Sequence, residues 1–158
     1  MGYTHYFYRK PKLNPNRFAK VVEDFKIAIN LIRDKGIDIC GWNGSGDPIL
    51  NDLEIRFNGM ADQSHETFIL LLNYKKPDYQ KADFFEPGKS KGLAFQFCKT
   101  AQKPYDLAVM TALVIAKHHL KDQIHISSDG EDGDWAAARD LCQLVFGYGA
   151  DFKLGRGF

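Results

Sequence analysis

Cysteine is scarce and scattered in this chain. The three present, Cys40, Cys98 and Cys142, are an odd number with no Cys-x-x-Cys spacing, which excludes a disulfide scaffold and a four-thiolate zinc site and predicts reduced thiols in a cytoplasmic protein. Net charge is nearly absent as well, at +1, and this removes the electrostatic basis for dedicated nucleic-acid or membrane-surface binding. Long hydrophobic runs are also missing. The longest, Leu107–Ala116 broken by Thr111, is too short to cross a bilayer. Residues 1–12 are aromatic and basic rather than the apolar core of a signal peptide, so no membrane partner is expected.

What remains is an ordinary folding composition. Hydrophobic residues make up 44% of the 158 and charged residues 26%, enough for one domain with its own core and no need of a metal or disulfide. Tyr3, His5, Phe7 and Arg9 alternate with Thr4, Tyr6 and Tyr8, which predicts a strand ended by Pro11. Asn14-Pro15 starts a helix, and Phe18, Val21, Val22, Phe25, Ala28, Ile29 and Ile32 continue it at three- and four-residue spacing until Gly36. Further strands are predicted at Ile37–Trp42, 53–57, 67–72, 93–99 and 123–127, and further helices over about 104–120 and 134–146. The order β-α-β-β-β-β-α-β-α predicts an α+β two-layer sandwich over residues 1–158 as a single domain. It has a mostly antiparallel sheet of five to six strands and three helices, and the 93–127 unit can add one parallel pair. Residues 73–92 read as a long loop and 148–158 as a flexible, glycine-containing tail.

The densest chemistry lies between Phe97 and Asp106, where an alternating strand feeds an apolar helix. Lys99, Thr100 and Lys103 precede a helix N-terminus, whose unpaired N–H groups and positive dipole end suit a phosphate or carboxylate. Asp106 suits a base and Tyr105 a hydrogen-bond donor. His5, with an ordinary pKa near neutrality, suits proton transfer. Ser128 and Asp129, at a strand end, join the candidates, and Asn58, in an Asn-Gly turn, would orient the ligand with Thr100. The expected partner is an anionic small molecule, a nucleotide above all, with no cofactor and no metal. The alternative is an interaction module or inhibitor that meets a host protein through the aromatics of loop 73–92.

Several familiar motifs fail. The acidic run 128–134 has its glycine out of place for a calcium loop and no closing glutamate. Gly88-Lys89-Ser90 lacks the upstream glycine of a phosphate-binding loop. His118 and His119 point about 100° apart on a helix, and no nucleophile elbow is present.

Three segments together resemble a group of small proteins from tailed phages and other mobile or environmental genomes. They are Met1-Gly2-Tyr3-Thr4-His5-Tyr6, then Phe97-Cys98-Lys99-Thr100 with Lys103-Pro104-Tyr105-Asp106, and Ser128-Asp129-Gly130 with Asp134-Trp135. Phe57-Asn58-Gly59 and Glu66 fit the same pattern, and Phe7 stands where a tryptophan is expected. The resemblance brings no activity with it. It implies a phage-type accessory role, and its motifs hold the polar candidates named above.

Overall fold

A computed structural model describes residues 2–78 and 92–155. The described residues form an α+β fold of two antiparallel sheets and three helices. In order these are β1 (Thr4–Arg9), α1 (Pro15–Asp34), β2 (Ile49–Leu50), β3 (Glu54–Phe57), β4 (Phe68–Leu71), β5 (Ala94–Lys99), α2 (Asp106–Leu120), β6 (Ile124–Ser128) and α3 (Ala136–Phe146). The strands divide into two three-stranded sheets, β5-β1-β6 and β2-β3-β4, rather than the single sheet expected. β1 uses both edges, pairing antiparallel with β5 and with β6. It thereby separates the two strands that would otherwise have paired in parallel.

The predicted strand at Ile37–Trp42 shrinks to one bridge, Cys40 to Asn58. Its apolar residues are interrupted by a tight backbone crossing, in which Gly41 N–H donates to Ser45 O (3.0 Å). A Cβ on Gly41 would sit 2.6 Å from that oxygen, so the chain folds back instead of extending.

α1 begins as its sequence dictates, with the Asn14 side chain accepting from Arg17 N–H at 3.0 Å and Pro15 at the first helical position. Its seven periodic apolar residues are all buried. Every residue of α2 from Ala108 to Ala116 is buried, because the helix packs against α1, α3 and β6. Phe57 stacks on Phe25 (5.1 Å) and meets Phe68 (5.3 Å), which in turn touches Phe7 (5.8 Å). These rings join both sheets to α1 in one core.

Arg9 makes the second joint between the sheets. It is fully buried, and it donates to backbone carbonyls. Nε donates to Lys10 O, one terminal nitrogen to Leu71 O (2.5 Å), and the other to Pro11 O and Leu72 O. The ring of Tyr74 lies 5.5 Å beneath it. Burial lowers its pKa to about 10, so it remains cationic at neutral pH. The guanidinium fork thus clamps the exit of β1 to the exit of β4.

The tail, expected to be flexible, packs through residue 155. Phe152 and Leu154 are buried, and Gly155 N–H donates to Ile126 O. Of the long 73–92 loop, residues 79–91 lie outside the described residues.

Candidate functional site

Period-two alternation puts His5, Phe7 and Arg9 on the inner face of β1. The register aligns His5 with Cys98 on one side and Ser128 on the other. The first turn of α2 projects Asp106 over the same strand end. His5 is 0% exposed, and both ring nitrogens are engaged: Nε2 meets Asp106 Oδ1 at 2.6 Å and Nδ1 meets Ser128 Oγ at 2.8 Å. Thr100, also fully buried, donates from its hydroxyl to the same Asp106 oxygen at 2.5 Å. Gly130 N–H donates to Ser128 Oγ at 2.9 Å.

These bonds impose a proton order. A carboxylate only accepts, so Nε2 carries the proton. In a neutral ring Nδ1 is then the acceptor and the Ser128 hydroxyl its donor. With the ring neutral, the chain runs one way, from Ser128 through His5 to Asp106.

Two aromatic side chains, not singled out from the sequence as site residues, enclose this relay. Tyr3 meets the His5 ring edge-on at 5.2 Å and Trp135 at 4.9 Å. The Tyr3 hydroxyl reaches Ser128, and burial first, then the charges of Asp106 and Asp134, raise its pKa. Gly130 leaves room for that hydroxyl, since a Cβ there would lie 2.1 Å from it. Tyr3 shares the alternating face with His5, and Trp135 closes the third resemblance segment; those were the available signals for both.

The other candidates have different surroundings. Asp129 accepts from Thr4 N–H (3.0 Å) and the Tyr6 hydroxyl (2.8 Å), pinning the start of β1 from the outer side of the sheet. Lys99 lies on that outer side too, with its ammonium near Gly2. Lys103 Nζ donates to Asp62 O at 3.1 Å, away from the relay. Asn58 spends its amide inside the 42–67 segment, donating to His65 O and Thr67 Oγ1 and accepting from Gly59 and His65 N–H groups. Tyr105 is fully buried and donates to Glu66 O at 2.6 Å. Burial is the first cause that raises its pKa. The relay therefore gathers His5, Thr100, Asp106 and Ser128 and leaves both lysines outside.

The helix start is also more fully used than the sequence suggests. N–H groups of Asp106, Leu107, Ala108 and Val109 all donate to carbonyls of residues 103–105. The preceding turn, closed by Lys103 N–H on Thr100 O, holds Ala101 and Gln102 at φ of +52° and +56°. Two consecutive non-glycine residues in the left-handed region store backbone strain directly beside Asp106. Glu66 explains part of how the turn is held. Its side chain accepts from Lys99 N–H (2.8 Å) and its carbonyl accepts from Tyr105.

Among the described residues no three His, Cys, Asp or Glu side chains cluster as a metal-binding set, and no helix is long and apolar enough to cross a membrane. Cys98 is buried with its thiol toward Glu66 O (3.5 Å), and burial raises its pKa strongly. Burial likewise pushes Cys142 up to about 12. Neither thiol supplies a thiolate nucleophile at neutral pH. Native-state alkylation followed by mass spectrometry should label Cys40, the partly exposed thiol, and reach Cys98 and Cys142 only after unfolding. Native labelling of Cys98 would mean that the β5 edge opens.

Comparison of the chain with protein-family models, with curated proteins and with solved structures finds no match. The fold and the site define the protein instead as an α+β domain with a buried carboxylate–histidine–hydroxyl relay at one end of its sheet.

Proposed function

We propose that the protein is a small ligand-binding protein or enzyme, of a phage-type accessory kind, that works through Asp106. One observation carries this reading. Asp106 Oδ1 is tethered by two buried donors, His5 and Thr100, while the side chain as a whole keeps 13% exposure. A carboxylate so oriented can accept a hydrogen bond or a proton from a ligand. The buried imidazole donates to that carboxylate through Nε2 and so orients it and stabilises its negative charge. The ligand we favour is phosphate-bearing or nucleotide-like; what supports it is a cation, Lys99, at the same end of the sheet although on its outer face.

The test is Asp106→Asn, assayed by thermal shift against a panel of nucleotides and sugar phosphates. Asparagine keeps an oxygen for both donors, so its own stability should change by about 1 kcal/mol or less, a few degrees in Tm for a domain of this size. A ligand that raises the Tm of the wild type should lose its effect on the variant. Unchanged ligand response, or a stability loss above about 3 kcal/mol, would assign Asp106 to holding the helix start instead.

A further inference from the structure

Two histidine–carboxylate clusters sit at opposite ends of α2, about 20 Å apart by helix length. One is the relay at Asp106. In the other, His119 Nε2 meets Asp24 Oδ2 at 2.7 Å, and the Tyr148 hydroxyl donates to the same oxygen at 2.6 Å. His118 lies flat on the Tyr148 ring, with centroids 3.7 Å apart and planes 2° from parallel. Tyr148 opens the tail, so this cluster fastens the start of the tail to both α1 and α2.

From Tyr148 the tail runs to the relay without helix or strand. Gly149, at φ +112°, turns it against α3, where a Cβ would press on Cys142 at 3.0 Å. Beyond the turn, Asp151 and Lys153 are exposed while Phe152 and Leu154 are buried. Phe152 stacks on Trp135 (5.2 Å, planes 22° apart), and Trp135 is the ring that meets His5 edge-on at 4.9 Å. Leu154 N–H donates at 2.8 Å to Asp132 Oδ1, on the turn that carries Trp135. Gly155 N–H donates at 2.6 Å to Ile126 O, two residues before Ser128. The far part of the tail is thus attached to the Trp135 ring, to its turn and to β6, all of which enclose the relay.

We propose that residues 148–155 form a strap, latched at Asp24, whose release opens the Trp135 wall of the relay. With the strap docked, Phe152 holds Trp135 against the imidazole of His5. With it lifted, Trp135 turns toward water and His5 loses one of its two aromatic walls. Two observations show that the strap is poised to open. Trp135 is fully buried, and its Nε1–H has no hydrogen-bond partner among the described residues; a buried donor without a partner disfavours the docked arrangement. The strap also has no ladder of its own and is held by a few separate bonds, as segments that open ahead of a core are. It is therefore one two-state element that both ends of α2 bias. The coupling acts on the geometry of the relay and holds whether or not Asp106 meets a ligand.

Asp24→Ala in the full chain tests it, by amide hydrogen exchange and by the nitrogen-15 resonances of His5. Asp24 keeps 20% exposure, so the variant should fold. Amides of Phe152, Leu154 and Gly155 should exchange about tenfold faster or more, with those of β3 and β4 unchanged. The His5 ring resonances should move, although the substitution lies at the far end of α2. Trp135, read on a Trp42→Phe background because Trp42 is exposed, should become open to acrylamide quenching. Tyr148→Phe keeps the ring on His118 and loses only the hydroxyl, and should fall between the wild type and Asp24→Ala. Unchanged tail exchange, faster tail exchange with His5 and Trp135 unmoved, or equal acceleration in β3 and β4 would each overturn the proposal.

Discussion

Arg9→Ala is expected to lower the stability of the fold by about 3–5 kcal/mol, the range for breaking a buried charged hydrogen-bond set. Removing the guanidinium leaves the carbonyls of Leu71, Leu72 and Pro11 without its donors, inside the joint between the sheets. It also opens a void above Tyr74. Two of these carbonyls keep one partner each, since Leu13 N–H donates to Leu72 O and Tyr74 N–H to Pro11 O; Leu71 O should suffer most. Arg9→Lys keeps the charge but not the fork, and should fall between the wild type and alanine. Chemical denaturation gives both values, and a loss under about 1 kcal/mol for alanine would show that the two sheets hold together without the clamp.

His5→Ala is expected to be nearly as damaging, at about 3–4 kcal/mol. The imidazole is packed between Tyr3 and Trp135, and its loss removes one donor from Asp106 and the acceptor of Ser128. The contrast with Asp106→Asn is the informative part. Both residues belong to one relay, but only His5 fills core volume. Denaturation of the two variants side by side should give a large effect for His5 and a small one for Asp106. Equal large losses would mean that the relay serves the fold alone.

Much of this was legible in the chain. α1 follows from spacing plus Asn14-Pro15, because an amphipathic helix writes its buried face at fixed intervals. The inner face of β1 is legible from alternation, and so is the buried character of α2. The gathering of His5, Thr100, Asp106 and Ser128 follows from their positions at strand ends and a helix start, which an antiparallel sheet brings to one edge.

Other features depend on information that periodicity does not hold. Alternation says which residues share a face but not which strands pair, and so the division into two sheets was hidden. A lysine's position does not fix the reach of its side chain, so neither the outward placement of Lys99 nor the tie of Lys103 to Asp62 could be read. Asn58 was expected to orient a ligand with Thr100, but its amide donors and acceptor are all used within its own loop. The carbonyl clamp at Arg9 was equally hidden, because a charged residue on a buried face declares a need for partners without naming them.

The one-way proton order of the relay is the central claim, and the nitrogen-15 resonances of the His5 ring test it most directly. With the ring neutral, Nε2 should show an attached proton and Nδ1 a bare lone pair, and Ser128→Ala should move the Nδ1 resonance far more than the Nε2 resonance. A neutral ring with its proton on Nδ1 and a bare Nε2 would contradict the order from Ser128 through His5 to Asp106.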